Sequence, residues 1–246
     1  NERFPGAAFQ SRYEWSDAEL SEFRYMVQPV ATRLGYQSVL SPFRPKPSNF
    51  GHTWALKGSD VSWYRWMHAS RSEAHDAMLA WLSSEGTTVT SVLEVGCGPG
   101  VFYPGFFTSR STTCQYWGLD VSESAILTAS STFTGDPRVH FETGDLLDFG
   151  DENQFDFVFS QGTLDNHWDV DACVRRCVEL TRNLAYIAFY RPTHHGGGHT
   201  YTYNADHGCH YNDLDIDRIV SQIDAVADTT WALVPVFVAN SQVTET

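Results

Sequence analysis

Long apolar runs are missing from this chain. No stretch approaches the roughly 18 residues a transmembrane helix needs, and no basic-then-apolar targeting pattern follows Asn1. Positive charge is scarce as well: 16 Lys and Arg stand against 30 Asp and Glu, a formal net charge of −14. A polyanion would be repelled in bulk, so nucleic acid is a poor partner and a small molecule a better one. Cysteine is sparse and unpaired in spacing. Cys97, Cys114, Cys173, Cys177 and Cys209 read as reduced thiols of a cytoplasmic-type compartment, and Cys173 and Cys177, four apart on one helix face, as core residues. What the chain does have is 42% hydrophobic residues, enough for a sizeable core, and 14% aromatics, many of them in the first third.

Two regions differ in rhythm. Residues 1–88 read as a helical, aromatic-rich cap. Ser16 and Glu19 have capping-box spacing ahead of the stripe Leu20, Phe23, Val27, Val30 and Leu34, with Pro29 interrupting it. A loop with Pro42, Pro45 and Pro47 follows. A second helix starts near Ser59–Asp60 and carries Trp63, Trp66, Met67, Ser70, Ala74, Ala77, Met78 and Trp81 at helical spacing. Residues 89–246 alternate short apolar runs (Ser91–Val95, Tyr116–Asp120, Val139–Glu142, Phe155–Phe159, Leu184–Tyr190) with helical segments such as Ser122–Ser131 and Val170–Thr181. That alternation predicts an α/β fold, a doubly wound, mostly parallel sheet with helices on both faces. A last helix is expected over Asp213–Ile223, then an apolar run, Trp231–Val238.

The first run leads directly into Gly96-Cys97-Gly98-Pro99-Gly100. Glycines there let the chain turn sharply at the strand's C-terminal edge and let a ligand approach the main chain. Asp120, ending the next strand, lies 20 positions after Gly100, the separation at which a carboxylate meets ribose hydroxyls. A dinucleotide turn needs Gly-x-Gly-x-x-Gly; here the third glycine comes one residue early, and Glu94 would repel a pyrophosphate yet could hold an ammonium.

Glu94-Val-Gly-Cys-Gly-Pro-Gly100 resembles the first motif of class I S-adenosylmethionine-dependent methyltransferases, and the resemblance extends over about Val89–Tyr190. It implies S-adenosylmethionine as cofactor, held by Glu94, Gly96, Cys97, Gly98, Gly100, Asp120 and Val121. Asp145 and Leu146 would meet the adenine edge, and Ser160 and Gln161 the methionine part. Asp165-Asn-His167 is similar to the family's Leu-Glu-His region, with Asp165 in the Glu place and Asn166 as an extra residue. By analogy with similar enzymes, Arg65, with Arg71 behind it, would pair with the cofactor's carboxylate. A ligand-free or dinucleotide-binding Rossmann-like domain is the alternative.

The expected activity is methylation of a small hydroxylated molecule (a sugar, glycan end or secondary metabolite), on oxygen, with a histidine as general base. His167, then His199 and His195, are the candidates, with Asp165 or Tyr211 in reserve. The segment Arg191–Asp213, with His194, His195, His199, His207 and His210, reads as a functional loop or lid over the substrate. A metal at His194, His195, His199 and Asp206 is disfavoured, because adjacent histidines in extended chain diverge, so no metal is expected. A protein or amine acceptor, or a non-catalytic cofactor-binding module, remains the other reading. A homodimer is left open.

Overall fold

The computed structural model describes residues 50–51, 54, 56, 60–69, 72–103, 113–150, 155–191, 193–204 and 208–226. They belong to one compact unit, 49–246. The stripe after Ser16, the proline loop, Arg71, Asp206, His207 and the run Trp231–Val238 lie outside the described residues.

Among the described residues two helices precede the sheet, α1 (Val61–Ala69) and α2 (Ser72–Ser84). The sequence reads them as a single helix. Asp60 starts α1 by accepting the Trp63 N–H at 2.9 Å, as an N-cap does. α1 buries Tyr64 and leaves Trp66 58% exposed, so its inward face is rotated from the expected tryptophan stripe. On α2, Met78 and Leu82 are fully buried against Val92, Phe157 and Phe159 of the sheet.

Among the described residues the sheet has five parallel strands: β1 (Ser91–Val95), β2 (Gln115–Asp120), β3 (Val139–Thr143), β4 (Phe155–Gln161) and β5 (Thr181–Ala188). Their order is β3-β2-β1-β4-β5. The chain therefore winds outward from β1 in both directions, and the switch point lies between β1 and β4, where open α/β sheets bind ligands. β4 is buried at every position, as a central strand covered on both faces must be. α3 (Glu123–Thr132) follows β2, capped by Ser122, whose Oγ accepts the Ala125 N–H at 3.3 Å. α4 (Val170–Leu180) follows β4, capped by Asp169. Cys173 and Cys177 lie in the core beneath α4, as their spacing implies.

The His- and Gly-rich segment is not an open loop. It folds into β6 (Thr193–His194), β7 (Thr200–Asn204) and β8 (Cys209–Asp215), a separate sheet in the order β6-β8-β7. Strand β8 takes up the residues expected to begin the last helix, so α5 spans Ile216–Val226. The cause is Asp215. Its carboxylate accepts the N–H groups of Gly196 (3.0 Å), Gly198 (2.7 Å) and Asp217 (3.1 Å), closing the small sheet and starting α5 at once.

Candidate active site

At the C-terminal edge of β1 the turn is held by backbone bonds from Gly96 N and Cys97 N to Leu119 O (2.7 and 3.2 Å). Gly96 has φ +79° and Gly98 φ +53°, which L side chains rarely adopt. Space excludes a side chain too. A Cβ on Gly96 would lie 2.2 Å from Thr163 Oγ1, and one on Gly98 2.6 Å from the Tyr64 ring. Gly100 serves packing, since its Cβ would meet Phe141 and Phe133. Cys97 is buried, its thiol pushed well up by burial and by the nearby Asp120 and Glu94 carboxylates.

A cleft with about 810 Å³ of atom-free space, part of it open to solvent, lies over this turn. Gly96, Asp120, Val121, Asp145, Leu146, Gln161 and His167 line it, as does Tyr64. All but Tyr64 come from the end of a strand or the connection after it, so the parallel register of the sheet brings them together.

Asp120 is buried at the end of β2. Its Oδ2 accepts the Gly98 N–H and its Oδ1 the Ser122 N–H, both at 2.8 Å. It thus braces the glycine turn as well as facing the cleft. Burial raises its carboxyl, against the pull of those two amides. Asp145 caps a single 3₁₀ turn, Leu146–Asp148, through Oδ1 and the Leu147 N–H (3.1 Å). Gln161 ends β4. Its Nε2 lies 3.4 Å from the Met78 sulfur, and its amide oxygen is buried with no hydrogen-bond partner. Such an orphan acceptor at a cleft wall suits a donor from a ligand.

Glu94 is turned into the core, 2% exposed, and does not line the cleft. It is hydrogen-bonded to the Tyr116 hydroxyl, and burial pushes its carboxyl up to about 8. Ser160 is fully buried and donates to Val95 O at 3.1 Å, tying β4 to β1. Arg65 is exposed and outside the cleft lining; its neighbour Tyr64 is the α1 residue that reaches in. Burial, with Asp120 facing it, holds the Tyr64 phenol far above its ordinary range.

The histidines separate clearly. His167 lines the cleft, 6% exposed, with Phe50 edge-on at 4.9 Å. Its Nδ1 accepts the Asp169 N–H at 3.0 Å, and its Nε2 lies 3.2 Å from Asp145 Oδ1. The tautomer that satisfies both contacts carries its proton on Nε2 and donates to Asp145. His199 repeats the pattern away from the cleft. Its Nδ1 accepts the Asp215 N–H (2.9 Å), and its Nε2 meets Asp171 Oδ1 (3.1 Å) inside a buried cluster completed by Arg218. Burial works against ionisation of Asp171, but His199 and Arg218 outweigh it and hold the carboxyl below its usual range. His195 is exposed on the small sheet beside Asp217, whose hydrogen bond raises its pKa. Asp165, 1% exposed, accepts the Tyr190 and Arg191 N–H groups at 2.8 and 3.0 Å and does not line the cleft. Tyr211, on β8, stacks under the Arg191 guanidinium at 4.3 Å.

Sequence reasoning missed Phe50, Trp54, Tyr64, Thr163 and Asn166 in the lining. Thr163 and Asn166 sit beside the motif residues and were open to inspection. The aromatic three come from upstream of the sheet and reach the cleft only through tertiary packing.

The switch-point cleft, the tight glycine turn and the carboxylates ending β2 and following β3 define a Rossmann-like ligand-binding domain of the methyltransferase type. Residues 92–184 match the family model described as "Methyltransferase domain". Among curated proteins the chain is 30% identical over 73 residues to malonyl-[acyl-carrier protein] O-methyltransferase 1 of Ilyobacter polytropus. That alignment covers 30% of this chain and 27% of that enzyme's length. Among solved structures, the N-terminal domain of EvdMO1, in the presence of SAH and D-fucose, is similar at 16% identity and a TM-score of 0.48. The match covers 63% of this chain and 72% of that one. Magnesium protoporphyrin IX methyltransferase of Synechocystis PCC 6803 with bound SAM gives 16% identity and a TM-score of 0.47, over 70% and 82%.

Proposed function

We propose that the protein is an S-adenosylmethionine-dependent methyltransferase that methylates a small molecule on oxygen. The observation that carries this reading is the shared cleft, which Asp120 and Asp145 line together with Gly96, a position that admits no side chain. Asp120 would accept the ribose hydroxyls, Asp145 and the Leu146 N–H would meet the adenine edge, and the Gln161 oxygen would accept the methionine ammonium. When bound, this cofactor supplies an electrophilic methyl carbon on a sulfonium. The chain's part is to aim the nucleophile in line and to exclude water. Tyr64, Trp54 and Phe50 provide apolar cover for the second task.

The histidine base of the sequence reading has no support from the bonding of its first two candidates. In the tautomers above, His167 and His199 have both ring nitrogens engaged within the protein, and His195 is outside the cleft lining. We read His167 instead as a positioning residue that orients Asp145. A nucleophile that arrives already deprotonated is easier to reconcile with such a cleft. The oxygen preference is supported by the name of the curated relative, and the small-molecule preference by the net charge of −14. Among the described residues no helix is long and apolar enough to cross a membrane. The test is methyl transfer from labelled S-adenosylmethionine to fractionated metabolites, run beside calorimetric titration with S-adenosylhomocysteine. Binding without transfer to any fraction would favour the non-catalytic module.

A further inference from the structure

We infer that Met78, in the core between α2 and the sheet, is a positioning residue for the cofactor. Its sulfur holds the Gln161 amide so that the oxygen, and not the NH2 group, faces the cleft. The site thereby favours S-adenosyl ligands that carry the amino-acid ammonium over truncated ones; the inference rests on the cofactor reading above. Gln161 ends β4, the strand beside β1. Its side chain lines the cleft and is 9% exposed. A primary amide has two ends of nearly the same shape and opposite hydrogen-bonding character. Which end a ligand meets is set by what holds the other. Here Nε2 donates to the Met78 sulfur at 3.4 Å, and Oε1 is buried with no hydrogen-bond partner among the described residues. The reversed amide would set its oxygen against a thioether, which accepts weakly and donates nothing. Met78 is fully buried and packs with Val92 of β1 and Phe157 and Phe159 of β4, so the sulfur has no room to swing away.

The strand order says which part of the ligand this oxygen meets. Asp120 ends β2 and Asp145 follows β3, whereas Gln161 ends β4, on the opposite side of β1. A ligand whose adenosine lies against the two carboxylates therefore brings its amino-acid end to Gln161. Those carboxylates also make the cleft a better place for a cation than for an anion. An ammonium has only donors to offer, so it needs an acceptor, and a reversed amide would meet it with two more donors. 5′-Methylthioadenosine shares the adenosine and the thioether and has no ammonium. Its binding is indifferent to which end of the amide faces the cleft, and this separates positioning from core packing.

The experiment is calorimetric titration of the full chain with S-adenosylhomocysteine and, in parallel, with 5′-methylthioadenosine. The proteins are wild type, Met78→Leu, Gln161→Leu and the double variant. Leucine keeps an apolar chain of similar volume at position 78 and removes the sulfur. Wild type should prefer S-adenosylhomocysteine about tenfold or more. Met78→Leu should weaken S-adenosylhomocysteine about 3–10-fold, the loss of one modest hydrogen bond, and leave 5′-methylthioadenosine within about twofold. Gln161→Leu should weaken S-adenosylhomocysteine about 10–100-fold, again with the truncated ligand within about twofold. The double variant should fall no further, because Met78 acts through the amide. An equal loss for both ligands in Met78→Leu, no loss for S-adenosylhomocysteine, or additive losses in the double variant would each overturn the inference. Should Met78→Leu not fold, Gln161→Leu decides: a preference for S-adenosylhomocysteine that survives it overturns the inference. A wild type that binds both ligands equally overturns it too, and leaves the cofactor site standing. A wild type that binds neither defeats the cofactor reading itself.

Discussion

Replacing Asp120 with alanine removes two things at once, and the structure separates them. The first is an internal brace. The carboxylate accepts the Gly98 and Ser122 N–H groups at 2.8 Å each, and both donors lose their partner. A buried donor left unsatisfied costs about 1–3 kcal/mol. Partial access to water in the cleft brings the sum to roughly 2–4 kcal/mol of stability. At about 2–4 °C per kcal/mol for a domain of this size, the melting temperature should fall by roughly 5–15 °C. The second loss is the acceptor for the ribose hydroxyls. A hydrogen bond to a charged group contributes about 1.5–3 kcal/mol, so S-adenosylhomocysteine affinity should fall roughly 10–150-fold. Asp120→Asn, which keeps one acceptor oxygen, should lie between on both scales. The assay is isothermal calorimetry on protein shown to be folded by circular dichroism, with thermal melts alongside. A folded Asp120→Ala protein that binds S-adenosylhomocysteine within twofold of wild type would remove Asp120 from the site.

Gly96→Ala must set a Cβ 2.2 Å from Thr163 Oγ1 at a positive φ, so it should abolish binding of S-adenosylhomocysteine by calorimetry while Gly86→Ala, with open space around it, does not. Burial raises the folded-state pKa of Glu94 to about 8, above an unfolded value near 4.5, so the native state holds its proton more tightly and wild-type stability falls as pH rises between those two values. Glu94→Gln should therefore be more stable than wild type by a margin that opens from pH 5 and levels off above pH 8, reaching a few kcal/mol at most; denaturant titrations giving a pH-independent gap would refute the assignment. His199→Ala strips Asp171 and the Asp215 N–H of a buried partner and should cost roughly 2–4 kcal/mol in urea titration, with cofactor affinity unchanged. His167→Ala should weaken S-adenosylhomocysteine binding about 3–30-fold through loss of one hydrogen bond that orients Asp145, which is the opposite of what loss of a mere acceptor base would do.

The parts of this molecule legible in the sequence are those set by local rules. Ser91–Val95 is a strand because a short run carrying Val92, Leu93 and Val95 leads into glycines, and the structure has it with the same bounds. Asp120 and Asp145 are readable because the chain length between strand ends is nearly fixed in a βα repeat. The α1 face was misjudged because helical spacing leaves several faces open when Trp, Tyr and Trp follow one another; only the docking of α1 over Gly98 selects Tyr64. The small β6-β8-β7 sheet was hidden by its composition. Glycines and histidines carry no period, and its closure depends on Asp215, 17 and 19 residues from the amides it binds. His167 and His199 could not be told apart by sequence from catalytic bases, because the backbone amides and carboxylates that occupy their nitrogens come from folding.

The measurement that bears most directly on the cofactor claim is calorimetric titration of the full chain with S-adenosylhomocysteine and, separately, with NAD. The account requires one S-adenosylhomocysteine per chain with micromolar-range affinity, its loss in Gly96→Ala, and no measurable NAD binding. NAD binding at comparable affinity, or S-adenosylhomocysteine binding that survives Gly96→Ala in a folded protein, would contradict it.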